Sequence, residues 1–331
     1  MRSTAVCAIV CGLCASTPVA GQAPREPLPR NVTATAIPGV VAAGAKWQLV
    51  WQGPDNADGI VGTSDGGLLF AQEQSSRVRK LDAEGKASVY LENTHGSGAL
   101  AIDAQGRILA VERSCTDPGL TTTTSACSEP TVVGILSPEH KVLAASFQGK
   151  PLGRLNDLVV DKKGGVYFTV GDAYYVSPDG LVTSFGGDIR SNGIMLSPDE
   201  RIVYVTNGGM ILAFDILPDG TVANRRNFAR LEGGGNGDGM AVDAAGRLYV
   251  TTGPGVQVFG PEGNYLGLIP TPRGVISVAF SGADKKTLYV VGSGALDPDG
   301  TEHTEPTGRR NNAKTIFKIP MLTEGFKGRA K

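Results

Sequence analysis

Histidine is scarce: the 331 residues hold three, His95, His140 and His303. No Gly-x-Ser-x-Gly elbow accompanies them, so a Ser-His-Asp hydrolase would have to be assembled from scattered loops. A zinc centre built from histidine and cysteine is short of ligands on the same count. Charge of one sign never accumulates. Lys and Arg total 31 against 32 Asp and Glu, the formal net charge is −1, and no block of five like charges occurs. That excludes the electrostatic footprint of a nucleic-acid or anionic-membrane binder. Long apolar runs are missing, so the mature chain carries no membrane span. Helical periodicity is almost absent as well. What abounds is glycine, 46 residues, as many short strands joined by tight turns require.

The N-terminus differs from the rest. Arg2 gives a positive start, Ala5 to Leu13 form a short apolar run, and small residues follow at Ala20 and Gly21. This predicts a secretory signal peptide over residues 1–21, too short to span a membrane, and a periplasmic or secreted product. Leu13 stands where a lipoprotein signal needs a small residue before Cys14. Residues 22–40 read as a Pro/Ala-rich linker, and 41–331 as one domain. Cys7, Cys11 and Cys14 leave with the signal. Cys115 and Cys127 remain, in one loop, where an oxidising compartment would join them. A metal pair or reactive thiol is the alternative, but further Cys or His at ligand spacing is lacking.

Self-similarity organises the domain. Six segments share an Asp, two or three residues often including Gly, then an apolar strand: from Asp65, Asp103, Asp161, Asp199, Asp243 and Asp284. Taking Leu69, Leu109, Tyr167, Tyr204, Tyr249 and Tyr289 as equivalent, the spacings are 40, 58, 37, 45 and 40. The outlier contains the Cys115–Cys127 segment, and removing an insertion of about 18 residues restores the period. A second strand follows several copies, as in Val256-Gln257-Val258-Phe259, and several end in Pro-Asp-Gly or Pro-Glu-Gly turns. An all-β, six-bladed β-propeller satisfies this pattern. Lys46–Trp51 before the first copy and Thr315–Ile319 after the last are expected to share one blade, with the N-terminal strand closing the ring.

Chemistry is predicted just upstream of the repeat strands. Asp58-Gly59, Asn156-Asp157, Asn192-Gly193 and Asp238-Gly239 stand at similar offsets in four copies. Equivalent positions of successive blades face one channel, so Asp58, Asn156, Asn192 and Asp238 would converge. Two carboxylates and two amide oxygens suit a hard cation. The competing reading is plain: Asn-Gly and Asp-Gly are strong turn signals, and each alone would be a turn.

Arg154-Leu155-Asn156-Asp157-Leu158, Asn192-Gly193-Ile194-Met195-Leu196-Ser197-Pro198-Asp199 and Asp238-Gly239-Met240-Ala241-Val242-Asp243 resemble the gluconolactonase family that includes regucalcin, the senescence marker protein. The likeness spans roughly Gly53 to Pro320. It implies a six-bladed propeller with one divalent cation in the channel, calcium foremost, with magnesium, manganese or zinc as alternatives. By that resemblance Asn192 and Asp238 are metal ligands, Asn156 is a ligand or substrate contact, and Arg154 a substrate contact. The family's first ligand, a Glu, is Asp58 here; Glu73, one strand later, is the other candidate. A further Asn-Gly of the family is Ser97-Gly98 in this chain. The implied activity is hydrolysis of a sugar lactone or related cyclic ester, with Asp238 as candidate base. A propeller that binds a sugar, peptide or protein around a structural cation is the competing expectation, and no residue argues for a lyase.

Overall fold

The computed structural model describes residues 29–113, 130–304 and 314–329. The expected signal peptide and the Cys115–Cys127 pair lie outside the described residues. Six four-stranded antiparallel sheets form the body, and no helix occurs among the described residues. Their innermost strands are Ile60–Gly62, Ser97–Ile102, Leu158–Val160, Ile194–Leu196, Met240–Val242 and Val275–Ser281, blades 1 to 6 in turn. Each touches the next, and the last touches the first. The ring is closed: this is the six-bladed propeller. In blade 6 the N-terminal strand Gln48–Gln52 takes the outer edge beside Thr315–Pro320, with Gln48 opposite Lys318 and Gln52 opposite Thr315. Two distant pieces of chain thus make one sheet, as their positions at the two ends of the repeat predicted.

The repeated aspartate has a local cause. Oδ1 of Asp103 accepts the backbone N–H of Gln105 and Arg107, Asp161 those of Lys163 and Gly165, and Asp243 those of Ala245 and Arg247. The carboxylate therefore replaces the missing backbone acceptor in the turn between the first two strands of a blade. In blades 4 and 6, Glu200 and Lys285 hold the left-handed position of that turn, at φ 57° and 55°.

One expectation needs correction. Residues 22–40 were expected to be linker, yet from Arg30, whose N–H donates to Pro272 O, the chain is docked. Ala34, Ile37, Val40 and Val41 are buried in one apolar cluster with Tyr249, Val256, Ile269 and Phe317. Ile37 packs over Gly267 of the outer strand Tyr265–Pro270, where a Cβ would come within 2.8 Å of its Cδ1. An exposed outer strand is a surface that gains from cover, and a few well-placed apolar residues suffice. Pro/Ala-rich composition conceals them.

Candidate active site in the central channel

The Asp-Gly and Asn-Gly pairs are not turns. Gly59, Gly193 and Gly239 are absent from the positive-φ residues; each is needed instead for close approach of neighbouring blades. A Cβ on Gly59 would lie 2.5 Å from Ala99 Cα, one on Gly193 2.0 Å from the Asp238 carbonyl oxygen, and one on Gly239 2.7 Å from the Ile276 carbonyl oxygen. Backbone bonds cross the same junctions, from Gly59 N–H to Gly98 O at 2.9 Å and from Gly239 N–H to Ile276 O at 2.8 Å. In blade 3 an aspartate bridges instead. Asp157 Oδ1 accepts the N–H of Leu158, and Oδ2 that of Ile194 in blade 4, at 3.0 Å.

Asp58, Asn156, Asn192 and Asp238 each stand two residues before the innermost strand of their blade, at one end of the channel. Asp58 and Asp238 lie within electrostatic reach of each other. Desolvation, then the charges of Asp58 and Asp157, push the Asp238 carboxyl up to about 8, against the pull of Arg113 and the Gly239 N–H. Among the described residues no protein group hydrogen-bonds the side-chain amides of Asn156 or Asn192.

Sequence reasoning missed a residue at the centre of this arrangement. Arg113 is buried, its Nη2 2.6 Å from Asp58 Oδ2 and its Nη1 3.6 Å from Glu73 Oε2. Burial alone would lower its pKa, but Asp58, Glu73 and Asp157 outweigh that and raise it. Its path runs over Gly98, where a Cβ would fall 1.2 Å from Nη2. The Ser97-Gly98 departure noted in the sequence is thereby explained: blade 2 gives up a side chain there, and Arg113 fills the space. A signal existed. The fourth residue after each equivalent Leu or Tyr is Glu73, Arg113, Gly171, Gly208, Gly253 and Ser293. Two blades carry long, oppositely charged side chains where the others carry Gly or Ser.

Glu73 does not stand ready as a replacement ligand. It is buried, ion-paired to Arg113, and Arg154 Nη2 lies 3.4 Å from each of its oxygens. Burial and the neighbouring Arg113 lower the pKa of Arg154. Beyond Arg154 opens a cleft of about 690 Å³, lined by Phe147, Lys150, Arg154, Asn156 and Tyr174. Its wall includes a small hairpin, Ser146–Phe147 with Lys150–Pro151, placed between blades 2 and 3. A second cleft, of about 500 Å³, lies among the turns that carry Asp65, Asp103 and Asp161 and is away from these residues.

The donors suit a divalent cation. Two amide oxygens are uncommitted, and Asp238 bears the strain of neighbouring carboxylates that a cation would relieve. Asp58 has one oxygen committed to Arg113 and can offer the other.

The sequence profile of the SMP-30/Gluconolactonase/LRE-like region matches residues 59–294. The chain belongs to this family. The matched span contains Arg113, Arg154, Asn156, Asn192 and Asp238, and begins one residue after Asp58. A gluconolactonase of Zymomonas mobilis is 25% identical over 299 residues, covering 77% of this chain and 78% of its own. A 6-deoxy-6-sulfogluconolactonase of Pseudomonas putida is 31% identical over 249 residues, covering 68% and 79%. Among solved structures, a gluconolactonase of Xanthomonas campestris matches with a TM-score of 0.69 at 22% identity, over 90% of this chain and 99% of that one. At that identity the likeness carries the propeller fold.

Proposed function

We propose that this chain is an exported lactonase that opens a small sugar-type lactone at the Asp238 end of its channel, with one divalent cation held there. The observation that carries the reading is the common placement of Asp58, Asn156, Asn192 and Asp238 two residues before the innermost strands, with Asp58 and Asp238 in electrostatic reach and Asn156 on an arginine-edged cleft. Membership of a family whose relatives bear lactonase names supports it.

Asn192 and Asp238 would hold the cation, with Asn156 and the second oxygen of Asp58 completing the protein's share. When bound, the cation polarises a carbonyl as a Lewis acid and lowers the pKa of neighbouring acids. The chain's own residues supply the rest. Arg154 donates to lactone oxygens and orients the ring, while Phe147 and Tyr174 offer it an apolar wall. Arg113 holds Asp58 in place through a charge-assisted bond. Asp238, ionised, takes a proton at its carboxylate from the attacking water. The water oxygen bonds to the carbonyl carbon, the ring C–O bond breaks, and the proton passes from Asp238 to the departing alkoxide. The product is the open hydroxy acid. Without the cation, burial and the neighbouring carboxylates raise the Asp238 carboxyl; the bound cation would pull it back down and keep it ionised, as a base must be.

A binding propeller is the second reading, favoured by the commitment of Asp58 to Arg113. Lactone hydrolysis by wild type and Asp238→Asn, followed across a calcium titration with a chelator control, separates the two. The proposal expects chelator to abolish turnover and Asp238→Asn to stay about 10²–10⁴-fold slow even when calcium saturates. Equal rates in both proteins, indifferent to chelator, would leave the binding propeller standing. Export is checked by mass spectrometry of protein recovered outside the cytoplasm: residues near 1–21 should be missing, and an intact Met1 would refute cleavage.

A further inference from the structure

Two of the three histidines, too few on counts for a metal centre, meet on blade 2. One ligand atom from each of His95, Glu112 and His140 lies within 4.8 Å of the others. Glu112 ends the strand Ile108–Glu112, and its side chain is 3% exposed. It lies across Gly134 of the next strand, Val132–Ser137, where a Cβ would be 1.9 Å from Oε1. His140 Nε2 stands 3.0 and 3.1 Å from the two carboxylate oxygens. The His95 ring stacks on that of His140, with centroids 4.5 Å apart.

We infer that His95, Glu112 and His140 form a second cation site, separate from the channel and suited to zinc. An ion pair between His140 and Glu112 explains two of the residues. The third ring is delivered from a non-glycine residue held at φ 52°. Ligand atoms about 2.0–2.2 Å from a tetrahedral zinc lie about 3.3 Å apart. His140 and Glu112 already stand near that separation, and rotation of the stacked rings brings in the rest. His140 is 41% exposed, which leaves an entry path and room for water as a fourth ligand. Two imidazoles and a carboxylate select borderline cations such as zinc or cobalt, whereas the oxygen set of the channel favours harder ions. The backbone carbonyl of His95 accepts the N–H of Arg113 at 3.0 Å. A cation here would therefore clamp the loop and turn that flank the channel arginine.

The test is direct metal binding to the full chain after stripping with chelator. Zinc is titrated by calorimetry, and cobalt(II) by its visible absorption. The inference expects one zinc site that His95→Ala or His140→Ala weakens about 100-fold, with the tetrahedral cobalt band lost. Asp238→Asn should keep both signals. Zinc should raise the melting temperature of wild type and Asp238→Asn but not of the histidine variants, each compared with its own metal-free protein. Unchanged zinc affinity in His95→Ala and His140→Ala would overturn the site. So would loss of zinc binding in Asp238→Asn alone, which would place the cation in the channel.

Discussion

A single arginine decides how the channel's negative charge is arranged. Removing Arg113 as Arg113→Met takes from Asp58 and the buried Glu73 the guanidinium they share, with Arg154 still beside Glu73. Breaking a buried pair in this way costs about 3–5 kcal/mol, which urea denaturation would register. Arg113→Lys should recover only part, since an ammonium cannot present the planar fork to two carboxylates. Asp238 offers a second test, in protein kept free of metal. Its carboxyl, raised to about 8 in the fold, binds a proton that the unfolded chain releases near the ordinary value of 3.8. The stability it contributes is full below about pH 4 and is lost as pH rises through about 8. Wild type in chelator should therefore lose stability relative to Asp238→Asn across that window. A constant difference between the two would contradict the shift. Asp58, Asn156, Asn192 and Asp238 were legible in the sequence because each precedes a repeat strand at one offset. Arg113 was not, because its importance lies in a neighbour's missing side chain: Gly98 matters only once the guanidinium is seen above it.

At the scale of strands and turns, the repeat was legible because one local device recurs. An aspartate closing a two-strand turn fixes the residues two and four places on, and the apolar strand follows. The same scale shows where composition misleads. Residues 29–40 fall in the stretch that looks like linker, yet Ile37 and Val40 are buried against blade 5. Ile37→Ala should lower stability by about 2–5 kcal/mol if this segment unfolds with the ring, as measured by chemical denaturation. Cation binding in the channel should be unchanged, because the segment packs outside blade 5 and contributes no side chain to the site. A melting curve that showed a small early step followed by the wild-type transition would mean the segment detaches on its own. Inter-blade glycines were misleading in the other direction. Gly193 carries a turn-like signature, but its Cβ would strike the Asp238 carbonyl, a backbone atom that cannot rotate aside.

For the molecule as a whole, the two ends of the channel are unequal, and the C-terminal tail makes them so. Arg329 is buried, with Nη2 2.7 Å from Leu196 O and Nη1 3.2 Å from Glu200 Oε1. Lys285 Nζ donates to Phe326 O at 3.2 Å and Arg329 O at 3.0 Å, drawing the tail toward blade 6. The tail so held joins the turns of blades 4 and 6 at the end opposite Asp238, and its residues Lys327, Gly328 and Arg329 line the cleft there. It acts as a brace across the ring, with no group in the proposed site. Arg329→Met keeps much of the side-chain volume but removes the cation paired with Glu200 and one donor each from the Leu196 and Ser197 carbonyls. The expected loss is about 3 kcal/mol, or roughly 5–10 °C in melting temperature for a domain of this size. Below that melting point, lactone turnover and its calcium dependence should match wild type. A variant that kept its melting temperature but lost turnover would show that the tail reaches through the channel to the site, and that the brace is not its role.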